Sequence, residues 1–86
     1  MTDSYSLVVK KSAERELRAV PKADLRRLTD RIRGLANAPR PPGHEKLSSQ
    51  EYYRVRQGDY RVVYAIDDDH RIVTLIKIGH RREVYR

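Results

Sequence analysis

The sequence contains no cysteine, tryptophan or phenylalanine, and no long hydrophobic run. Without cysteine, neither a disulfide framework nor a thiolate metal site can stabilise the fold, a composition that fits a reducing compartment. No apolar run approaches the roughly 18 residues that a membrane span requires, and no charged segment followed by an apolar one opens the chain. We therefore expect a soluble, cytoplasmic and complete chain.

Acidic residues are also few relative to basic ones. The 86 residues include nineteen Lys and Arg against twelve Asp and Glu, which gives a net charge of +7. Such a charge attracts nucleic acid, an acidic protein or an anionic membrane. Because no long segment sets Lys and Arg opposite large aromatic side chains, no membrane partner is expected. The length suits one domain, residues 1–86, with one modest core.

The first half of the chain carries one short strand pattern and two helical ones. The β-branched stretch Tyr5–Lys10 predicts a strand. Ser12 is a candidate N-cap for a helix over Ala13–Ala19, and Pro21 suits the start of a second helix. The second helix has an apolar stripe at spacings of three and four: Leu25, Leu28, Ile32 and Leu35. The arginines on its other faces are expected to form a solvated surface.

The second half changes to a period of two. After a loop over Asn37–Gly43, three strands are predicted at Tyr52–Arg56, Tyr60–Ile66 and Arg71–Ile78. Their short connections indicate an antiparallel meander. The predicted fold class is therefore α+β: an N-terminal strand, an α-helical hairpin and a three-stranded antiparallel meander, with both helices packed on one sheet face.

The register of the first hairpin brings three arginines together. Gly58-Asp59 suits a two-residue type II′ loop, which pairs Arg56 with Arg61 and Arg54 with Val63. Side chains alternate along a strand, so Arg54, Arg56 and Arg61 share one face. The opposite face carries the apolar side chains expected to meet the helices: Tyr53, Val55, Val62, Tyr64 and Ile66.

Clustered like charges on a sheet are destabilising unless an anion balances them. One alternative is an acid of the same chain, for which Asp59, Glu51 and Glu83 are candidates. The other is a phosphate, whose oxygens match the planar guanidinium fork. We favour the phosphate.

The chain closes on "GHRREVYR", residues Gly79–Arg86. A basic run of this kind is often a solvated tail. Here it follows the last predicted strand, and its continuation would bring Arg81 and Tyr85 toward the three arginines. Three histidines, His44, His70 and His80, lack the close spacing of a metal site, so neither a metal nor another cofactor is predicted.

The segments "YRVRQGDYRVVY" and "GHRREVY" resemble the RelE/ParE superfamily of bacterial type II toxins, and specifically its RelE-like ribonuclease branch. The resemblance implies a toxin that enters the ribosomal A site and cuts mRNA without a metal, held inactive by a cognate antitoxin. Its partners would be that antitoxin, the ribosome and mRNA, with operator DNA bound only through the antitoxin complex. The implied site residues are Arg54, Arg56, Arg61, Arg81 and Tyr85.

One departure from the family concerns proton transfer. Well-known members carry lysine where this chain has Arg54 and Arg56, and arginine does not lose its proton in proteins. Other members use a Glu and His pair, and His80 lies in the terminal motif. We therefore hypothesise that His80 takes part in proton transfer, since an imidazole titrates near neutral pH.

Two other functions stay open on the sequence. A ParE-like toxin would inhibit DNA gyrase and cleave nothing, because a shared fold does not fix the target. A catalytically weak member would act mainly with its antitoxin as an operator-binding corepressor, an alternative that the missing lysines keep open.

Overall fold

The computed structural model describes residues 4–47 and 51–80, which form an α+β fold. The predicted order of strand, helical hairpin and meander is confirmed, and one short strand that was not predicted precedes the meander. The elements are β1 (Ser6–Val9), α1 (Lys11–Arg18), α2 (Lys22–Asn37), β2 (Glu45–Lys46), β3 (Tyr52–Gln57), β4 (Tyr60–Asp67) and β5 (Ile72–His80).

Helix α1 starts earlier than predicted. It begins at Lys11, and Lys10 occupies the N-cap in an extended conformation without a side-chain cap. The prediction of Ser12 as N-cap was therefore wrong. The reason is strand pairing: the backbone N–H of Lys10 donates to the carbonyl of Leu75 at 3.1 Å, which fixes the residue before the helix.

Helix α2 follows the predicted stripe. Pro21 is its N-cap, and a proline there gives up no intrahelical hydrogen bond because the first helical N–H groups have no partner within the helix. Leu28, Ile32 and Leu35 are buried, and Leu25 packs beside them. The helix therefore contributes one apolar face to the core, and its arginines lie elsewhere on its circumference.

The five strands form one mixed sheet in the order β1-β5-β4-β3-β2. β1 runs parallel to β5, and every other neighbouring pair is antiparallel. The predicted register is confirmed: Arg56 pairs with Arg61 and Arg54 with Val63. Gly58 has a φ of 60°, which a type II′ turn requires at its first central position.

Both helices cover one face of this sheet. The buried strand residues on that face meet the stripe of α2; they are Tyr53, Val55, Val62, Tyr64, Val73, Leu75 and Ile78. The helices leave the opposite face open for polar side chains. Among the described residues, no helix is both long and apolar enough to cross a bilayer.

Candidate functional site

Three arginines meet on the open face of the sheet, at its hairpin end. Arg54 and Arg56 alternate with the buried Val55 on β3, and Arg61 of β4 lies directly opposite Arg56. They line a small hollow together with Gly43 and Glu45. The sequence-predicted grouping of Arg54, Arg56 and Arg61 is therefore present, and we call these three residues the arginine cluster.

A carboxylate from β2 enters the cluster. Glu45 pairs with Arg54 across the β2–β3 ladder, and its Oε1 accepts hydrogen bonds from Arg54 Nε, at 3.0 Å, and from Nη2. These hydrogen bonds hold the pKa of the Glu45 carboxyl below its usual value, and the charges of Arg56 and Arg61 add to the effect. An acid of the same chain therefore partly balances the cluster, and it is Glu45, which was not among the acids predicted for this role. Of the predicted acids, Glu83 lies outside the described residues.

The arginines differ in exposure. The residue Arg61 is only 6% exposed, the Arg54 side chain is 17% exposed, and Arg56 lies at the surface. A guanidinium keeps its charge when buried, and its attraction to an anion rises as water is excluded. Arg61 is thus placed to act on an anion from inside the sheet face, and Arg56 from its rim.

His80 lies apart from the cluster. It pairs with Tyr60 across β4 and β5, and their ring centroids are 5.7 Å apart at an interplanar angle of 78°. Tyr60 packs on the helix side of the sheet, and the His80 ring lines a groove there beside Glu16 and Val20 of the helical hairpin. The structure therefore does not bring His80 to Arg61. Arg81 and Tyr85, the other predicted residues, lie outside the described part of the chain.

The loop between α2 and β2 sets the position of Glu45. The Tyr64 hydroxyl, buried in the core, donates to the carbonyl of Pro39 at 2.6 Å. Burial raises the pKa of Tyr64 to about 12, so this hydroxyl stays protonated and able to donate. Further along, His44 Nδ1 lies 2.8 Å from the Pro41 carbonyl. The first contact ties the loop to β4, and the second joins two residues of the loop just before the chain enters β2.

An ion pair ties the same loop to the turn between β4 and β5. Arg40 Nη2 donates to Asp68 Oδ2 at 2.9 Å, and the Tyr5 hydroxyl donates to Asp68 Oδ1 at 2.7 Å. The Arg40 guanidinium also lies 5.3 Å from the centroid of the Tyr53 ring, within the range of a cation–π contact. Hydrogen bonds from Arg40 and then Tyr5 lower the pKa of Asp68 to about 2.

Glu16 of α1 holds the far end of β5. Its Oε1 accepts the backbone N–H of Ile78 at 2.8 Å, and its Oε2 accepts from Lys77 Nζ at 3.1 Å. β1 pairs with β5 only as far as Leu75, so beyond that residue the β1 side of β5 has no strand beside it within residues 4–47 and 51–80. The carboxylate replaces the missing strand as acceptor, and it fixes the backbone that leads to the terminal motif.

Two residues that contribute to the site, Glu45 and Glu16, could not be identified from the sequence. Glu45 lies on a strand of two residues, which is too short to show any period. Its only signal is an acid at the end of a Pro- and Gly-rich loop, opposite a basic strand. Glu16 lies on α1, and only the tertiary contact with Ile78 reveals its function.

A protein-family model, the ParE toxin of type II toxin–antitoxin systems, matches residues 7–85. The chain belongs to the RelE/ParE superfamily of type II toxins. Toxin RelE of Mycobacterium tuberculosis is 36% identical to this toxin over 84 residues, which span 95% of this chain and 87% of the relative.

Solved structures share the toxin fold. In the archaeal RelE–RelB complex from Pyrococcus horikoshii, one chain superposes with a TM-score of 0.82 at 27% identity, covering 95% of this chain and all of that one. A chain of the toxin–antitoxin complex RelBE2 from Mycobacterium tuberculosis gives a TM-score of 0.81 at 26% identity, with 92% of this chain and all of that one covered.

Proposed function

We propose that this toxin is a ribosome-dependent endoribonuclease that cuts mRNA in the A site and so inhibits translation. The observation that carries the proposal is the arginine cluster with the carboxylate of Glu45 at its mouth, on the sheet face that the helices leave open. The RelE relatives support the ribonuclease branch over a toxin of another activity.

The reaction is attack of a ribose 2′-oxygen on the adjacent phosphorus. A bond forms between that oxygen and phosphorus, and the bond from phosphorus to the 5′-oxygen of the next nucleotide breaks, which leaves a cyclic phosphate. The 2′-hydroxyl proton goes to a base, and the departing 5′-oxygen takes up a proton. Negative charge accumulates on the phosphate oxygens in the transition state, where positioned cations are most effective.

Arg54, Arg56 and Arg61 supply those cations. Arg61 is fixed by its burial, and Arg54 by its hydrogen bonds to Glu45, so neither has to reorganise much when phosphate arrives. Loss of one preorganised donor to a developing oxyanion lowers the rate of comparable reactions about 10²- to 10³-fold. In this proposal Arg81 adds a further cation, and Tyr85 stacks on an unpaired base or orients the nucleophile.

The base is assigned to Glu45. Its carboxylate lies within the cluster and is charged at neutral pH because Arg54 lowers its pKa. The proton-transfer role inferred for His80 stays a prediction, and the packing of the His80 ring against Tyr60 favours Glu45 over it. No step needs a metal ion in this scheme.

The test is primer extension on a reporter mRNA after the toxin is induced in cells. We expect discrete cuts within translated codons, lost when translation is blocked and lost in the Arg61→Gln variant. Arg33→Gln removes the same charge from an exposed site on α2 and is the matched control. Intact mRNA at toxic levels of the wild-type protein would contradict the proposal.

A second function is favoured by one observation, the match to a family model described as ParE toxin. A ParE-like toxin would inhibit DNA gyrase without cutting RNA. Supercoiling defects in cells whose reporter mRNA stays intact would establish it. A toxin that produces neither effect, yet strengthens operator binding by its antitoxin, would be the corepressor.

The proposed protein partner is a cognate antitoxin, as in the RelE–RelB complexes that share this fold. With a toxin charge of +7, we expect an acidic partner or one with an amphipathic segment that covers the helices and meander. Operator DNA would be reached only through that complex. Ribosome binding should weaken steeply with salt, because phosphate contacts release counterions.

A further inference from the structure

A groove runs between α2 and the Pro-rich loop, on the helix side of the sheet. Two of its residues, Arg27 and Arg31, are one helical turn apart, where like charges repel. Neither guanidinium forms an ion pair with a carboxylate of residues 4–47 or 51–80. The groove is lined by Arg27, Asp30, Arg31, Gly34, Leu35, Pro41 and Gln57.

Arg31 is the less solvated of the two cations. Its Nε is buried and has no hydrogen-bond partner among the described residues, and the residue as a whole is half-buried. A charged group that is desolvated without compensation costs free energy, which an arriving anion would recover in part. Gly34 leaves the floor open, because a Cβ added there would meet nothing within 4 Å. The groove thus has space for a ligand beside two guanidinium groups, those of Arg27 and Arg31.

The groove adjoins the arginine cluster around the β3–β4 hairpin. Gln57, which lines the groove, follows Arg56 directly on β3, and their side chains alternate to the two faces of the sheet. A chain of phosphates that crosses the cluster can therefore continue past the hairpin end to Arg27 and Arg31. Among the residues that the structure describes, Asp30 is the only acid that lines this groove.

We propose that the groove is a second phosphate-binding subsite, which takes the backbone of single-stranded RNA that extends from the arginine cluster. Guanidinium forks match phosphate oxygens bidentately, and the groove offers few apolar side chains of the kind that anchor a protein partner. The choice of RNA as the ligand rests on the proposed function. It assigns a function to helix arginines that the sequence alone suggests are merely solvated.

The test is RNA binding without cleavage. A fluorescent 12-nucleotide 2′-O-methyl RNA lacks the attacking hydroxyl, and its affinity for the full-length toxin is measured by anisotropy over a range of KCl concentrations. Each phosphate contact on single-stranded RNA adds about 0.7 to the slope of log affinity against log salt. The double variant Arg27→Gln/Arg31→Gln should therefore lower the slope by about 1.4 and weaken binding about tenfold at low salt.

The matched control is Arg15→Gln/Arg33→Gln, which removes the same charge from exposed positions outside the groove. It should leave the slope nearly unchanged. Asp30→Asn should tighten binding because it removes the negative charge that opposes phosphate. Arg31→Lys should keep the salt slope but lose part of the RNA affinity, because lysine keeps the charge without the guanidinium fork. The melting temperature of each variant verifies that it folds.

Equal losses in the groove and control variants would overturn the proposal, since net charge alone would then explain them. Wild-type RNA affinity combined with lost antitoxin binding would overturn it too and indicate an acidic protein as the occupant. A second arm uses vacant ribosomes in place of the oligonucleotide. A loss with the oligonucleotide supports the subsite. A loss with ribosomes alone would instead identify ribosomal RNA as the ligand of the groove and overturn the path of single-stranded RNA from the cluster. Neither binding assay depends on RNA cleavage. Absence of mRNA cuts in cells would therefore refute the proposed function without affecting the evidence for RNA binding in the groove.

Discussion

Glu45 and Arg54 lie directly opposite each other on β2 and β3, and one carboxylate oxygen of Glu45 accepts from two nitrogens of Arg54. The Glu45 side chain is 55% exposed and the Arg54 side chain 17% exposed, so the carboxylate lies at the mouth of the cluster and the guanidinium beneath it. A substrate phosphate that approaches Arg54 therefore meets Glu45 first. The carboxylate proposed as the proton acceptor therefore lies next to a cation.

The first prediction concerns the base. Glu45→Gln keeps an oxygen for Arg54 but removes the proton acceptor, so ribosome-dependent cleavage should fall about 10²- to 10⁴-fold. Antitoxin affinity should not change, and Glu51→Gln, at an exposed position, serves as the control. The measurement is single-turnover cleavage of mRNA on purified ribosome complexes. A wild-type rate in Glu45→Gln would remove Glu45 from the chemistry.

The second prediction is the pH dependence of the same reaction. Arg54 holds the pKa of the Glu45 carboxyl below its usual value, so the carboxylate stays ionised as pH falls toward that value. Cleavage by the wild-type toxin should therefore be nearly constant from neutral pH down to about 5.5, well above the ordinary carboxyl range. A base with the ordinary imidazole value of about 6.5 would instead produce a tenfold loss per unit of pH below it. Such a decline would argue for a histidine.

The third prediction concerns His80. Its ring packs on Tyr60 at the helix side of the sheet, so His80→Gln should change cleavage by less than the ~10²-fold expected for loss of a general acid or base. The same single-turnover assay measures it. A loss as large as that of Glu45→Gln would restore the sequence-based hypothesis of proton transfer by His80.

The fourth prediction concerns stability and acid. Arg40 and Tyr5 lower the folded-state pKa of Asp68 to about 2, below the ordinary value of about 3.9 expected in the unfolded chain. The carboxylate therefore adds stability above about pH 4, and this contribution is lost as pH falls toward 2. Asp68→Asn should lower the urea midpoint at pH 7 and leave it nearly unchanged at pH 2. The neighbouring Asp69→Asn is the control; a pH-independent difference for Asp68→Asn would exclude the linkage.

The fifth prediction concerns the loop that carries Glu45. Tyr64→Phe removes the donor to the partly buried Pro39 carbonyl, and loss of such a hydrogen bond costs about 1 kcal/mol of unfolding free energy. Urea unfolding should show a lower midpoint with an unchanged m-value. Tyr52→Phe is the matched control because the Tyr52 hydroxyl has no hydrogen bond within the part of the chain that the structure describes. Equal effects of the two changes would contradict the assignment.

The sequence predicted the meander and its register well, because alternation and the Gly58 turn are local signals that agree with each other. It placed Arg54 and Arg61 on one face for the same reason. It did not predict β2, whose two residues show no pattern, or the acid that meets Arg54. Nor did it place His80 on the helix face, although the alternation that located the arginines also applies to β5. Contacts between distant segments, such as Glu16 with Ile78, have no local signature at all.

The pairing of β1 with β5 has a consequence for synthesis. Ser6 lies beside Ile72, so β1 must wait until β5, which is synthesised much later, is available before this part of the sheet can form. Contacts of such long sequence separation slow folding, and the N-terminal segments of a nascent chain cannot make them early. A newly made toxin would thus complete its sheet only after β5 has left the exit tunnel of the ribosome.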